Sequence, residues 1–168
     1  MNFLYPVEDY GVAISVAAEQ SFKGNRCMTP VSHQFGISSC VPFVVCDAVS
    51  AVSALEVPGH LPWKAIPLSK QELVDCVPVD RKGVHFERVY KYVIQRGLHS
   101  EFNYPYRAQY GLPCLCFPLL EKHKVGILGY EPLLSDAAVI DALDNAPVTA
   151  TICVYESFLN RGRTIVSI

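Results

Sequence analysis

Leu68-Ser-Lys-Gln-Glu-Leu-Val-Asp-Cys76 is the stretch on which the reading of the fold turns. Ser69 followed three residues later by Glu72 is a capping-box pattern, in which each side chain satisfies a backbone N–H that a helix start leaves open. It predicts a short helix over Lys70 to Asp75. Upstream, Val57 to Pro67 holds three prolines and a glycine and reads as a loop. Before it, Asp47 to Glu56 opens on a capping-type residue and spaces Val49, Val52 and Leu55 about one turn apart, which predicts a buried amphipathic helix. Downstream, Phe86 to Gln95 places Phe86, Val89, Tyr90, Val93 and Ile94 on one helical face, with Gly97 positioned to end it.

Farther out, Tyr104-Pro-Tyr106 is a proline-fixed extended segment, and the apolar run Lys124 to Gly129 suits a strand. Asp136 to Asn145 reads as a fourth helix, closed by Asn145 and Pro147, and Val148 to Tyr155 alternates as a half-buried strand does. Helices first and strands later imply an α+β chain.

At 168 residues, with 51% hydrophobic and 18% charged, the chain suits one packed domain. A net charge of -2 with dispersed Lys and Arg forms no basic stripe, so neither a nucleic acid nor a membrane is implied as partner. No apolar run approaches the ~18 residues of a membrane span. Met1 to Gln20 has no basic start, and Glu8 and Asp9 precede its apolar part, which makes a poor signal peptide. Seven cysteines leave the compartment open.

Thr29-Pro-Val-Ser-His-Gln-Phe-Gly-Ile-Ser-Ser-Cys40 resembles the segment leading to the nucleophile of papain-like cysteine peptidases, where a Gln stands six residues before the catalytic Cys. Leu68 to Cys76 is similar to that family's helix bearing a disulfide cysteine. Val89 to Ile94, Gly97, Glu101, Asn103-Tyr-Pro-Tyr106, Gly129-Tyr-Glu131 and Ala146 to Ile152 continue the likeness in order. Such colinear blocks over Cys27 to Ile152 are far more specific than one short motif. The resemblance implies a helical left domain with only the start of the β-rich right domain. It sets 27–168 as the papain-like part, ending ahead of the catalytic His and Asn, and 1–26 as a non-matching segment whose first 20 residues match neither propeptide nor signal peptide.

Carried over by spacing, Cys40 is the nucleophile and Gln34 a donor to the oxyanion hole. Cys46 is the alternate, because the family places a Glu ten residues after its nucleophile and Glu56 lies ten after Cys46. Aligning both ends leaves six extra residues between Cys40 and the helix body. As helix these amount to roughly 9 Å and about 240° of rotation, which displaces a helical Cys40 from its site if the helix body packs as usual, unless a loop excursion repairs it. Cys40 is favoured because it retains Gln34 and the adjacent serine. The five histidines 33, 60, 85, 99 and 123 fall where the family has no catalytic residue and read as surface or loop positions.

The family's glycine-rich cleft segment stands here as Arg81-Lys-Gly83-Val84, and Phe86 and Thr151 align with positions lining the apolar substrate pocket, with core packing as the other reading. One family disulfide has lost both halves, at Arg81 and Ile37; a second would join Cys76 to Cys114, with Cys116 as a substitute partner. Cys114-Leu-Cys116 lacks two further ligands at zinc spacing, so no metal and no cofactor is implied. The resemblance thus implies a cysteine-type peptidase, inactive as the chain stands for want of a base, or a non-catalytic relative that binds a peptide or protein. The family is secreted, lysosomal or vacuolar, and nothing in the chain assigns its own location.

Overall fold

The computed structural model describes residues 27–30, 32–56, 65–78, 84–116 and 124–151. Four helices follow one another: α1 (Cys40–Glu56), α2 (Lys70–Cys76), α3 (Phe86–Arg96) and α4 (Asp136–Leu143). Both α2 and α3 pack on α1. The core they share is built from Val45, Cys46 and Val49 of α1, Leu73 of α2, and Val89 and Val93 of α3, closed by Leu68, Val77 and Leu98.

Helix α1 starts seven residues before Asp47, at Cys40, and runs unbroken to Glu56. The expected loop excursion is absent. Burial explains the early start: Pro42, Phe43, Val45 and Cys46 all lie inside, and that gain outweighs the helix-propensity cost of β-branched residues, at most ~0.7 kcal/mol each. Pro42 sits in the first turn, where its missing N–H breaks no bond. Asp47, with the look of a cap, instead accepts from the Thr29 hydroxyl at 2.8 Å and pairs with Lys70 at 3.5 Å. Ser50 now stands ten residues after Cys40, buried, donating to the Cys46 carbonyl at 2.7 Å.

Helix α2 begins as expected, with the Ser69 hydroxyl accepting from the Glu72 N–H at 3.0 Å. The reciprocal half of the box is not made. The Ser69 N–H goes to the His99 carbonyl at 2.9 Å, which frees the Glu72 carboxylate for deeper donors. It accepts from the His99 N–H at 2.8 Å, meets His99 Nδ1 at 2.9 Å, and accepts from the Tyr92 hydroxyl and the Cys116 thiol, each at 3.0 Å. Lys124 Nζ lies 3.5 Å away. Burial alone would raise the Glu72 carboxyl, but the hydrogen bonds from Cys116 and His99 outweigh it and hold it below the usual range. His99, expected at the surface, is fully buried in this network.

Helix α3 ends at Gly97, whose φ of 64° favours a residue without Cβ; an added Cβ would lie 3.0 Å from Lys124 Cβ. Ile94, expected on the core face of α3, is exposed, because that face centres on Val89 and Val93. The strand expected at Lys124 to Gly129 shrinks to one antiparallel bridge, Leu98 with Val125. A strand needs a continuous ladder partner, and Leu98 alone faces it. Val148 to Thr151 form no ladder among the described residues, and the rest of that expected strand lies outside them. Helix α4 stops at Leu143 and buries none of its residues.

Candidate active site

The segment 32–39 leads into α1 and carries the amide and the thiol singled out by spacing. Phe35 and Gly36 take left-handed φ values of 55° and 83°, turning the chain sharply. Phe35 is held there by its N–H donating to His33 Nδ1 at 2.8 Å. The Tyr-Pro-Tyr segment straps this turn from outside. The Tyr106 hydroxyl donates to the Gln34 carbonyl at 2.8 Å and meets the Ser39 hydroxyl at 2.9 Å, while its ring stands edge-on to Phe43 at 4.9 Å. The Tyr110 hydroxyl adds a bond to the Ser38 carbonyl.

Cys40 is the first residue of α1 and half-buried. The first N–H groups of a helix have no intrahelical acceptor and form its positive dipole end, a place suited to an anionic sulfur or oxygen. Gln34 is 3% exposed, and among the described residues neither its side-chain oxygen nor its nitrogen has a hydrogen-bond partner. A buried amide left unpaired costs about 1–3 kcal/mol, and such orphans mark places where something other than stability is served. Cys46 is of a different kind. It lies in the core, its thiol donates to the Ser69 carbonyl at 3.4 Å, and burial pushes that thiol well above the usual range, with Lys70 only partly opposing.

Val84 and Phe86 are partly buried and pack on the core, Phe86 also stacking on Tyr90 at 6.3 Å, and Thr151 is exposed. Gly83 lies outside the described residues. A cavity of about 330 Å³ opens instead beside the strapped turn, lined by Ser32, His33 and Phe35 together with Phe43, Lys70 and Tyr106. Of the histidines, His33 is engaged by Phe35, His85 precedes α3 as its N-cap, and His99 is bound to Glu72; His60 and His123 lie outside the described residues.

The disulfide falls between Cys76 and Cys114, whose Cα atoms are 4.9 Å apart, as the resemblance implies. Cys116 remains a free thiol. Sequence reasoning missed its surroundings: Glu72, His99 and Cys116 bring three potential ligand atoms within 4.8 Å of one another. Both Glu72 oxygens already accept protein hydrogen bonds there. No sequence spacing signals this cluster, because its members come from α2, the turn after α3 and a later loop.

A cysteine opening a buried helix, a buried glutamine amide six residues before it, and a disulfide-stapled helical domain together have the architecture of a papain-like cysteine peptidase. The family model described as "Papain family cysteine protease" matches residues 16–167, and the chain belongs to that family. It is 31% identical over 135 residues to zingipain-2 of Zingiber officinale, covering 77% of this chain and 58% of the relative. Vignain of Phaseolus vulgaris is 30% identical over 149 residues, covering 85% and 39%. The crystal structure of the Carica candamarcensis cysteine protease CMS1MS2 in complex with E-64 superposes with a TM-score of 0.60 at 27% identity, covering 71% of this chain and 55% of that one. The chain thus spans 39–58% of the length of these two curated relatives.

Proposed function

We propose that this chain carries the nucleophile half of a papain-type centre, with Cys40 as nucleophile and Gln34 as oxyanion-hole donor, and that these 168 residues hydrolyse no peptide bond by themselves. The observation that carries the reading is the buried, unpartnered Gln34 amide held in the strapped turn that leads to Cys40. Peptide hydrolysis of this kind needs a base to take the thiol proton and an acid to protonate the leaving amine. Of the described histidines, His33 accepts from the Phe35 N–H, His99 is held on Glu72, and His85 stands at the N-cap of α3. The reading takes 27–168 as the papain-like part, ahead of the segments that bear the family's His and Asn. Burial of Cys46 supports setting the alternate nucleophile aside. The alternative reading is a non-catalytic relative that binds an extended peptide or a protein. The packing of Val84 and Phe86 on the core favours this second, non-catalytic reading over turnover of the family's usual substrates.

The test is treatment of the folded chain with an E-64-type epoxide, with Cys40→Ala and Cys46→Ala as controls. The expected result is no epoxide adduct at neutral pH, while a small alkylating agent modifies Cys40 and spares Cys46. An epoxide adduct lost in Cys40→Ala would show a working base and overturn the inactivity. Adducts that follow Cys46 would overturn the choice of nucleophile.

A further inference from the structure

The chemistry proposed above uses neither the disulfide nor the thiol beside it. Cys116 Sγ lies 3.5 Å from Cys76 Sγ, and the sulfurs of Cys76, Cys114 and Cys116 all lie within 4.8 Å of one another. Of the three, Cys114 is the exposed one. We propose that this triad is a thiol–disulfide exchange site, in which Cys116 displaces Cys114 from Cys76 and the released Cys114 sulfur reacts with small disulfides from solvent.

In the exchange the Cys116 thiol gives its proton to the Glu72 carboxylate, which already accepts it at 3.0 Å. The sulfur bonds to Cys76 Sγ, the Cys76–Cys114 bond breaks, and its electron pair leaves on Cys114 Sγ as a thiolate, which equilibrates with its thiol as Glu72 returns the proton to solvent. One disulfide and one thiol stand on each side, so nothing is oxidised or reduced. A low-molecular-weight disulfide then meets Cys114: the Cys114 thiolate bonds to one of its sulfurs and the other leaves as a thiolate.

The surroundings set the resting isomer and its response to pH. With Cys114 in the bond, Cys116 donates to buried Glu72; exchange removes a donor from that carboxylate, which costs stability. The other groups facing the site are the Tyr92 hydroxyl, 3.1 Å from Cys116 Sγ, Lys124, 3.5 Å from Glu72, and His99 on the far carboxylate oxygen. Burial and the hydrogen bond to Glu72 push the Cys116 thiol above the usual range, whereas an exposed cysteine ionises near ~8.5. The isomer whose free thiol ionises at lower pH gains as pH rises. Alkaline conditions therefore shift the bond from Cys114 to Cys116. At neutral pH the exchange is slow, because the carboxyl of Glu72 lies below the usual range and accepts a proton reluctantly.

The experiment alkylates the folded, unreduced full chain with iodoacetamide across a pH series and places each label by fragment-ion mass spectrometry. The expected result is label on Cys114 as well as Cys116, with the Cys114 share rising several-fold between neutral pH and pH ~9 and falling more than tenfold in Cys116→Ser. Within the triad, oxidised glutathione should leave one mixed disulfide, on Cys114. Cys114→Ser supplies an independent arm, since the oxidised variant should hold a Cys76–Cys116 bond. Within the triad, label confined to Cys116 at every pH would overturn the proposal. So would free Cys76 and Cys116 in oxidised, folded Cys114→Ser.

Discussion

Ser69 and Ser135 each cap a short helix by accepting the N–H of the residue three positions on, Glu72 at 3.0 Å and Ala138 at 3.2 Å. The two helices then part company. Helix α2 buries Lys70, Gln71, Glu72, Leu73 and Val74, is stapled by Cys76 to Cys114, and gathers polar partners from α3 and the loops around it. Helix α4 buries nothing, and Leu134 beside its start is 92% exposed. A cap is a local device that supplies the same bond in either setting. What a helix contributes to global stability depends on the surface it covers, and a turn or two of helix is marginal without tertiary packing.

The largest effect should come from Cys76→Ser, which removes the staple in either disulfide isomer. The bond closes a separation of 38 residues, and loop-closure entropy of that size is about 4 kcal/mol, readable as a drop in the denaturant midpoint. Next, Leu73→Ala in α2 should cost about 2–5 kcal/mol through transfer and cavity terms, while Ile140→Ala in α4, where the side chain is 68% exposed, should change stability by at most ~0.5 kcal/mol. Equal losses in the two variants would break the contrast between the helices.

Acid sharpens it further. The carboxyl of Glu72 lies below its ordinary value, so its contribution is complete above about pH 4.3 and is lost as pH falls through the lowered value. Thermal unfolding of the wild-type chain should therefore fall more steeply below that pH than unfolding of Glu72→Gln. Parallel curves would show that the carboxylate is not ionised in the fold. The caps contribute less than the core: Ser69→Ala should cost about 1–2 kcal/mol, since its hydroxyl also donates to the Tyr104 carbonyl at 2.6 Å. Ser135→Ala should fray α4, seen as faster amide exchange there, with the global midpoint nearly unmoved.

Much of this was legible in the chain because it depends on near neighbours. The Ser69 cap, the stop at Gly97 and the amphipathic face of α3 each rest on residues within a few positions of one another. The Cys76–Cys114 pairing followed from likeness to a family, carried by colinear blocks of residues. The start of α1 was not legible: Asp47 offers the local signal for a helix start, and burial of Phe43 and Val45 overrode it. At the candidate site, Gln34 and Cys40 were found by spacing. The hydroxyls of Tyr106 and Tyr110 that hold their turn come from about seventy positions away, with a separation of 72 for Tyr106 and Gln34.

By itself, then, the sequence determined the family, the caps, and the spacing of amide and thiol, all properties of short segments read along the chain. Only the tertiary structure decided that Cys40 opens a helix while Cys46 lies in a core, that His99 is buried on Glu72, and that a third sulfur stands beside the disulfide. Burial and hydrogen-bond partnership are set by side chains distant in sequence, and these converge only when α2 and α3 pack against α1.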